Sequence, residues 1–117
     1  MKMELDPKQC AAQEGFREFV ERSVMPFADE YDDRGSVPEE LLREMRQRGY
    51  LGINIGATLG GGGLGPITQG LLFEQIGRGS SSVLSLMAVH GMVSHALVRW
   101  GSPAQQEKWL PRLASGE

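Results

Sequence analysis

The side chains that could do chemistry in this 117-residue chain are few and scattered. His90 and His95 stand five apart, whereas a metal pair on one helix face wants three or four, and no carboxylate shares their run. Both read as core histidines with satisfied ring nitrogens. Ser80, Ser81 and Ser82 offer hydroxyls with no base nearby in sequence, and a helix cap accounts for them. Cys10 has no cationic neighbour beyond Lys8 to lower its thiol pKa. Asp29, Glu30, Asp32 and Asp33 match no metal-loop spacing and read as a solvated helix end. Gly60, Gly62 and Gly65 fit G-x-G-x-x-G after a run, LGINI, that could pass for a short strand. However, no acidic residue stands about 20 positions on, and no alternation of strand and helix surrounds the motif. A turn whose glycines permit unusual backbone angles or close approach is the expectation. No metal site and no catalytic residue is assigned within the chain.

The elements that would position any site are helical. From Val83 to Val98 there is no Asp, Glu, Lys or Arg. These 16 residues are too short to cross a bilayer, and a helix apolar all round must be covered on most sides. This rod is therefore expected at the centre of a helical domain, covered by the rest of the chain, with no membrane span.

Before it, residues 6 to 31 carry a first helix, with Asp6 as cap and Pro7 in the first turn. Phe16, Phe19, Val20, Val24 and Phe27 form its apolar stripe, and Pro26 is expected to kink or split it near Met25. Pro38 opens a second helix that turns Leu41, Leu42 and Met45 inward and Arg43, Arg46 and Arg48 to water. Gly49 stops it. A third runs from Pro66 to Arg78, with Ile67, Leu71, Leu72 and Ile76 on one side. Gly91 within the rod costs roughly 1 kcal/mol against alanine, so another helix or a ligand is expected to approach it closely. After Trp100-Gly101, Ser102 caps a last helix, with Pro103 in its first turn and Gln105 bonding back.

The fold class is thus all-α, an up-and-down bundle of about five helices, treated as one domain over residues 1–117. A net charge of −3 with no basic run argues against a nucleic-acid partner. One cysteine excludes an internal disulfide, and Glu4, Asp6 and Lys8 interrupt any signal core, so a cytoplasmic location is expected.

With those elements placed, the order of motifs resembles the N-terminal helical domain of the acyl-CoA dehydrogenase family of flavoenzymes. Pro38 to Gly65, PEELLREMRQRGYLGINIGATLGGGGLG, is similar to the family's helix followed by GLLGL-x-VPEEYGG-x-GLG. Glu74 to Val83, EQIGRGSSSV, is similar to EELARADASV, and Gly101 to Glu117, GSPAQQEKWLPRLASGE, to GTEEQKEKYLPKLASGE. The departure lies at Gly56 to Leu59, where the family has Pro-Glu-Glu-Tyr.

The resemblance implies an FAD-dependent α,β-dehydrogenation of an acyl thioester, in which a glutamate takes the α-proton and the flavin takes the β-hydride. It places the flavin site mainly in a middle β-domain and the glutamate in a C-terminal helical domain, both beyond Glu117, so the segment alone is not expected to be active. It further implies an acyl-CoA or acyl-carrier-protein thioester as substrate, an electron-transfer partner, and a homo-oligomer in the full enzyme. By resemblance, Val83, Met87, Ala88, Gly91, Met92 and His95 border the acyl chain. Spacings of three, four and seven let these six share a helix face, and Met87 and Met92 suit an adjustable apolar wall. An uncharged Val83 favours a tail without a terminal carboxylate. The rival readings are an acyl-carrier-protein-linked dehydrogenase of a polyketide or other secondary-metabolite pathway, and a non-catalytic helical interaction module.

Overall fold

A computed structural model describes residues 4–117. Among these there are six helical segments and no strand. They number five if the first two are counted as the one helix that a proline interrupts. That first helix, α1 (Pro7–Ser23), opens on a reciprocal cap: Asp6 Oδ1 accepts from the Gln9 backbone N–H at 2.8 Å, and Gln9 Oε1 accepts from that of Asp6 at 2.9 Å. Pro26 breaks the pattern as expected, through a single 3-10 turn (Met25–Phe27), and α2 (Ala28–Arg34) follows. Helix α3 (Glu39–Gln47) starts one residue later than its sequence suggests, because Pro38 takes the extended cap conformation. Gly49, at φ +73°, closes it. Two further 3-10 turns (Tyr50–Gly52 and Ala57–Leu59) lead to α4 (Pro66–Gly79), α5 (Ser81–Trp100) and α6 (Pro103–Ser115).

The core is built where α1 lies on α4 and α4 on α5. Phe19, Val20, Val24, Met45, Leu72, Ile76 and Val83 are fully enclosed there, and Phe16 and Phe19 meet the Tyr50 ring edge-on at 5.3 and 5.1 Å. A smaller cluster of Ile55, Leu110 and Ala114 joins the glycine-rich loop to α6. Three positions differ from expectation. Phe27 is 45% exposed because it sits on the turn made by Pro26, where the helical period lapses. Ile67 is 57% exposed, since nine residues at about 100° each put it opposite the buried Ile76. Arg46, expected in water, is half-buried and paired with Glu39.

The largest correction concerns α5. It runs for 20 residues rather than 16, so by length and composition alone it is long and apolar enough to cross a bilayer, a property that core helices of soluble proteins share. It is not covered on most sides. One side packs on α4 and α6, while Val89 and Met92, and Val93 and Trp100 at the edge facing α6, are 61, 71, 48 and 73% exposed. So few helices cover only one side of the rod, because α1 and α3 are engaged beyond α4 and the loop.

Two side-chain devices hold the bundle ends. Gln106 Nε2 donates to the carbonyls of Leu97, Val98 and Gly101 at 3.1, 3.1 and 3.3 Å, satisfying the last turn of α5 from the neighbouring helix. Gln106→Ala is expected to cost about 1–2 kcal/mol in urea unfolding, and an unchanged midpoint would dismiss the cap. Glu44 accepts from Arg48 Nε and Arg22 Nη2, both at 3.1 Å. Burial pushes its carboxyl up, but side-chain hydrogen bonds, those from Arg48 and Arg22 among them, hold it below its ordinary value of 4.5. A lowered folded pKa stabilises the fold above about pH 4.5, and that contribution is lost as pH falls through the folded value. Stability measured across this acid window should fall less steeply in Glu44→Gln than in the parent.

Candidate functional site

The glycine-rich loop is closed rather than open to a phosphate. The backbone N–H groups of Gly61, Gly62, Gly63 and Leu64 donate to the carbonyls of Gly56, Gly52, Ile55 and Ile53 at 3.1, 2.9, 2.8 and 2.8 Å. A phosphate cradle needs such amides unspent and convergent, and here all four are spent on the loop itself. The backbones also touch: a Cβ on Gly61 would lie 2.1 Å from the Ile55 carbonyl oxygen. The turn reading therefore holds, and the loop that departs from the Pro-Glu-Glu-Tyr pattern folds as the 3-10 turn Ala57–Leu59, with Leu59 packed against the cluster of Ile55, Leu110 and Ala114. The glycine-rich loop therefore offers no cradle for a dinucleotide phosphate.

Of the isolated polar candidates, Ser80, Ser82 and His90 take structural roles. Ser80 caps α5, its Oγ accepting from the Val83 N–H at 3.3 Å. His90 is half-buried and its Nε2 lies 2.9 Å from the Leu113 carbonyl oxygen, to which the ring N–H donates, tying α5 to α6. His95 does not sit in the core as expected. It is exposed, edge-on to Trp100 at 6.2 Å. Cys10 is exposed, and the acidic residues of α2 are solvated. Ser82 donates to Asp32 at 3.3 Å, a link between α2 and α5 that sequence spacing could not reveal.

The six residues expected beside an acyl chain divide into two rows instead of sharing a face. Val83 and Met87 are buried at 0 and 2% exposure. Gly91 faces α4, and a Cβ there would stand 3.1 Å from Gln69 Nε2 and 3.3 Å from Phe73 Cζ. Steps of four advance about 40° around a helix, so Val83, Met87 and Gly91 stay within one inward sector. His95, Ala88 and Met92 lie about 40, 60 and 100° beyond Gly91; Ala88 is half-buried, and Met92 and His95 are open. The close approach expected at Gly91 is thus made by another helix.

Next to the outward row the structure brings together residues that the sequence reading did not single out. Val89 extends the apolar stripe. A shallow apolar groove of about 520 Å³ runs between α5 and α6, with Val93, Leu97 and Trp100 on one side and Gln105, Trp109 and Leu113 on the other. The only signal for it was the charge-free run itself, which is longer and more uniformly apolar than a one-sided surface helix needs.

With this geometry in hand, residues 6–117 match the family described as acyl-CoA dehydrogenase, N-terminal domain. The chain is 36% identical over 115 residues to the mitochondrial isovaleryl-CoA dehydrogenase of Arabidopsis thaliana, covering 96% of this chain and 28% of that protein. It is 36% identical over 110 residues to the glutaryl-CoA dehydrogenase of Desulfococcus multivorans, covering 90% of this chain and 28% of that protein. The solved structure of a glutaryl-CoA dehydrogenase from Mycobacterium smegmatis, in complex with FADH2, superposes with a TM-score of 0.86 at 29% identity, over 96% of this chain and 29% of that one. The chain thus spans under a third of the length of these relatives.

Proposed function

The chain belongs to the acyl-CoA dehydrogenase family as its N-terminal domain, and from that premise we propose that it forms one wall of the acyl site in an enzyme that dehydrogenates acyl thioesters between the α and β carbons. The observation that carries the reading is the exposed apolar side of α5. Met92 at 71% and Val89 at 61% exposure flank Ala88 on a helix with no charge before Arg99. A contiguous exposed apolar surface of this kind marks a place of contact with something apolar.

The small Ala88 leaves room along the helix, and Met92 can change rotamer to follow the shape of a bound tail. Val83 is enclosed in the bundle and does not reach that surface. The choice of tail rests instead on Ala88, Val89 and Met92, among which no cation stands to pair a terminal carboxylate. An unsubstituted or branched apolar acyl group therefore suits this wall better than a dicarboxylic one.

The remaining segments of the enzyme hold the flavin, which supplies the redox chemistry when bound, and the carboxylate that removes the α-proton. An electron-transfer partner and a homo-oligomeric enzyme belong to the same reading. The test is the intact polypeptide. It should purify with a bound flavin and oxidise isovaleryl-type thioesters faster than glutaryl-type ones. A flavin-free protein inactive on a panel of acyl thioesters after flavin is supplied would overturn the proposal.

A further inference from the structure

A narrow crevice lies behind the exposed row of α5, between that helix, α4 and the segment that leads into the glycine-rich loop. Its volume is about 10 Å³, at the lower bound of what one water molecule requires and too small for a larger guest. Three polar side chains from three different segments line it: Asn54 ahead of the Ala57–Leu59 turn, Gln69 of α4 and His90 of α5. Phe73, Met87 and Gly91 are among its apolar walls. Gly91 keeps the space open. A Cβ there would stand 3.1 Å from Gln69 Nε2 and 3.3 Å from Phe73 Cζ, so any side chain would take the room beside the amide.

The three polar groups are half-buried, and the protein leaves each of them short of partners. Among the described residues, the side-chain amides of Asn54 and Gln69 make no hydrogen bond. His90 Nε2 spends its proton on the Leu113 carbonyl oxygen at 2.9 Å, so in the neutral ring Nδ1 is a bare acceptor. Donors and acceptors that meet at a crevice of this size, without bonding one another, are the setting of an internal water. We propose that one water molecule is bound there. It donates to His90 Nδ1 and to the amide oxygen of Asn54 or Gln69, and it accepts from the amide N–H of the other. The loop, α4 and α5 are then joined by one three-way link. Met87 and Gly91 belong to the inward row of α5, so the link sets the spacing and rotation of that helix against α4. The inference concerns the interior of the bundle, and it holds or fails independently of the acyl-wall reading.

The experiment is a crystal structure of the intact enzyme at a resolution that shows ordered water. A density peak is expected in the crevice, within hydrogen-bonding distance of His90 Nδ1 and of at least one of the Asn54 and Gln69 amides. Asn54→Leu combined with Gln69→Leu keeps comparable bulk but leaves only the imidazole to hold a water, and the peak should be lost. In solution, magnetic relaxation dispersion of the water nuclei should count one fewer long-lived internal water in that double variant than in the parent. A parent crevice without the peak would overturn the proposal, and so would a peak that touches none of the three side chains. Equal counts of long-lived water in parent and variant would overturn it as well. The parent crystal decides the matter even if the double variant does not fold.

Discussion

Ala88→Phe in the intact enzyme is expected to lower kcat/KM for the longest acyl thioesters it accepts by about tenfold or more, while the shortest stay within about twofold. The substitution places a large ring on the outward row of α5, beside Met92, where the half-buried alanine leaves space. A short tail would end before reaching the ring. Gly91→Leu separates the two rows. Its side chain would run into Gln69 and Phe73 of α4, whose atoms already stand 3.1 and 3.3 Å from where a Cβ would be. That variant should lose about 1–3 kcal/mol in chemical unfolding, as over-packed interiors do, without discriminating between chain lengths. If Gly91→Leu is the length-selective variant and Ala88→Phe is not, the inward row lines the site and the division of α5 argued above is wrong.

Gly61→Ala is expected to be the most damaging single methyl in the chain, at about 3 kcal/mol or more. The added carbon would stand 2.1 Å from the carbonyl oxygen and 2.5 Å from the carbonyl carbon of Ile55, both backbone atoms that no side-chain rotation can move. Relief requires the loop to open, which breaks the bonds from Gly63 and Leu64 to Ile55 and Ile53 and lifts Ile55 out of its fully buried place on Leu110. The control is Gly15→Ala. Gly15 lies inside α1 with nothing within 4 Å of its would-be Cβ, so the same methyl should stabilise by about 0.5–1 kcal/mol. Urea midpoints of the two variants moving in the same direction would refute the packing argument for the loop.

How much of this was legible in the sequence depended on whether the signal was local. Caps and stops are local: Asp6, Ser102 with Gln105, Gly49 and the break at Pro26 lie where short-range chemistry demands. The all-helical class and the family resemblance followed from those signals and from motif order. The phase of α5 was not legible. A run without charges shows that a helix is apolar, but with polar residues absent nothing marks which side meets the bundle, so six candidates spread over half its circumference were grouped as one face.

Gly91 illustrates the same gap. Its sequence position announced a close approach without saying whether helix or ligand made it, and only the placement of Gln69 and Phe73 decides. His90 and His95 looked alike in sequence, yet one reaches the Leu113 carbonyl and the other stands in the open, because five residues on a helix turn the side chain by about 140°.

The acyl wall can be tested most directly by photolabelling the intact enzyme with an acyl thioester that carries a diazirine near the end of its tail. Adducts mapped by peptide mass should fall on α5 between Ala88 and His95. Labelling confined to other segments, in an enzyme that still turns over the unmodified thioester, would contradict the claim that the bare side of α5 meets the substrate.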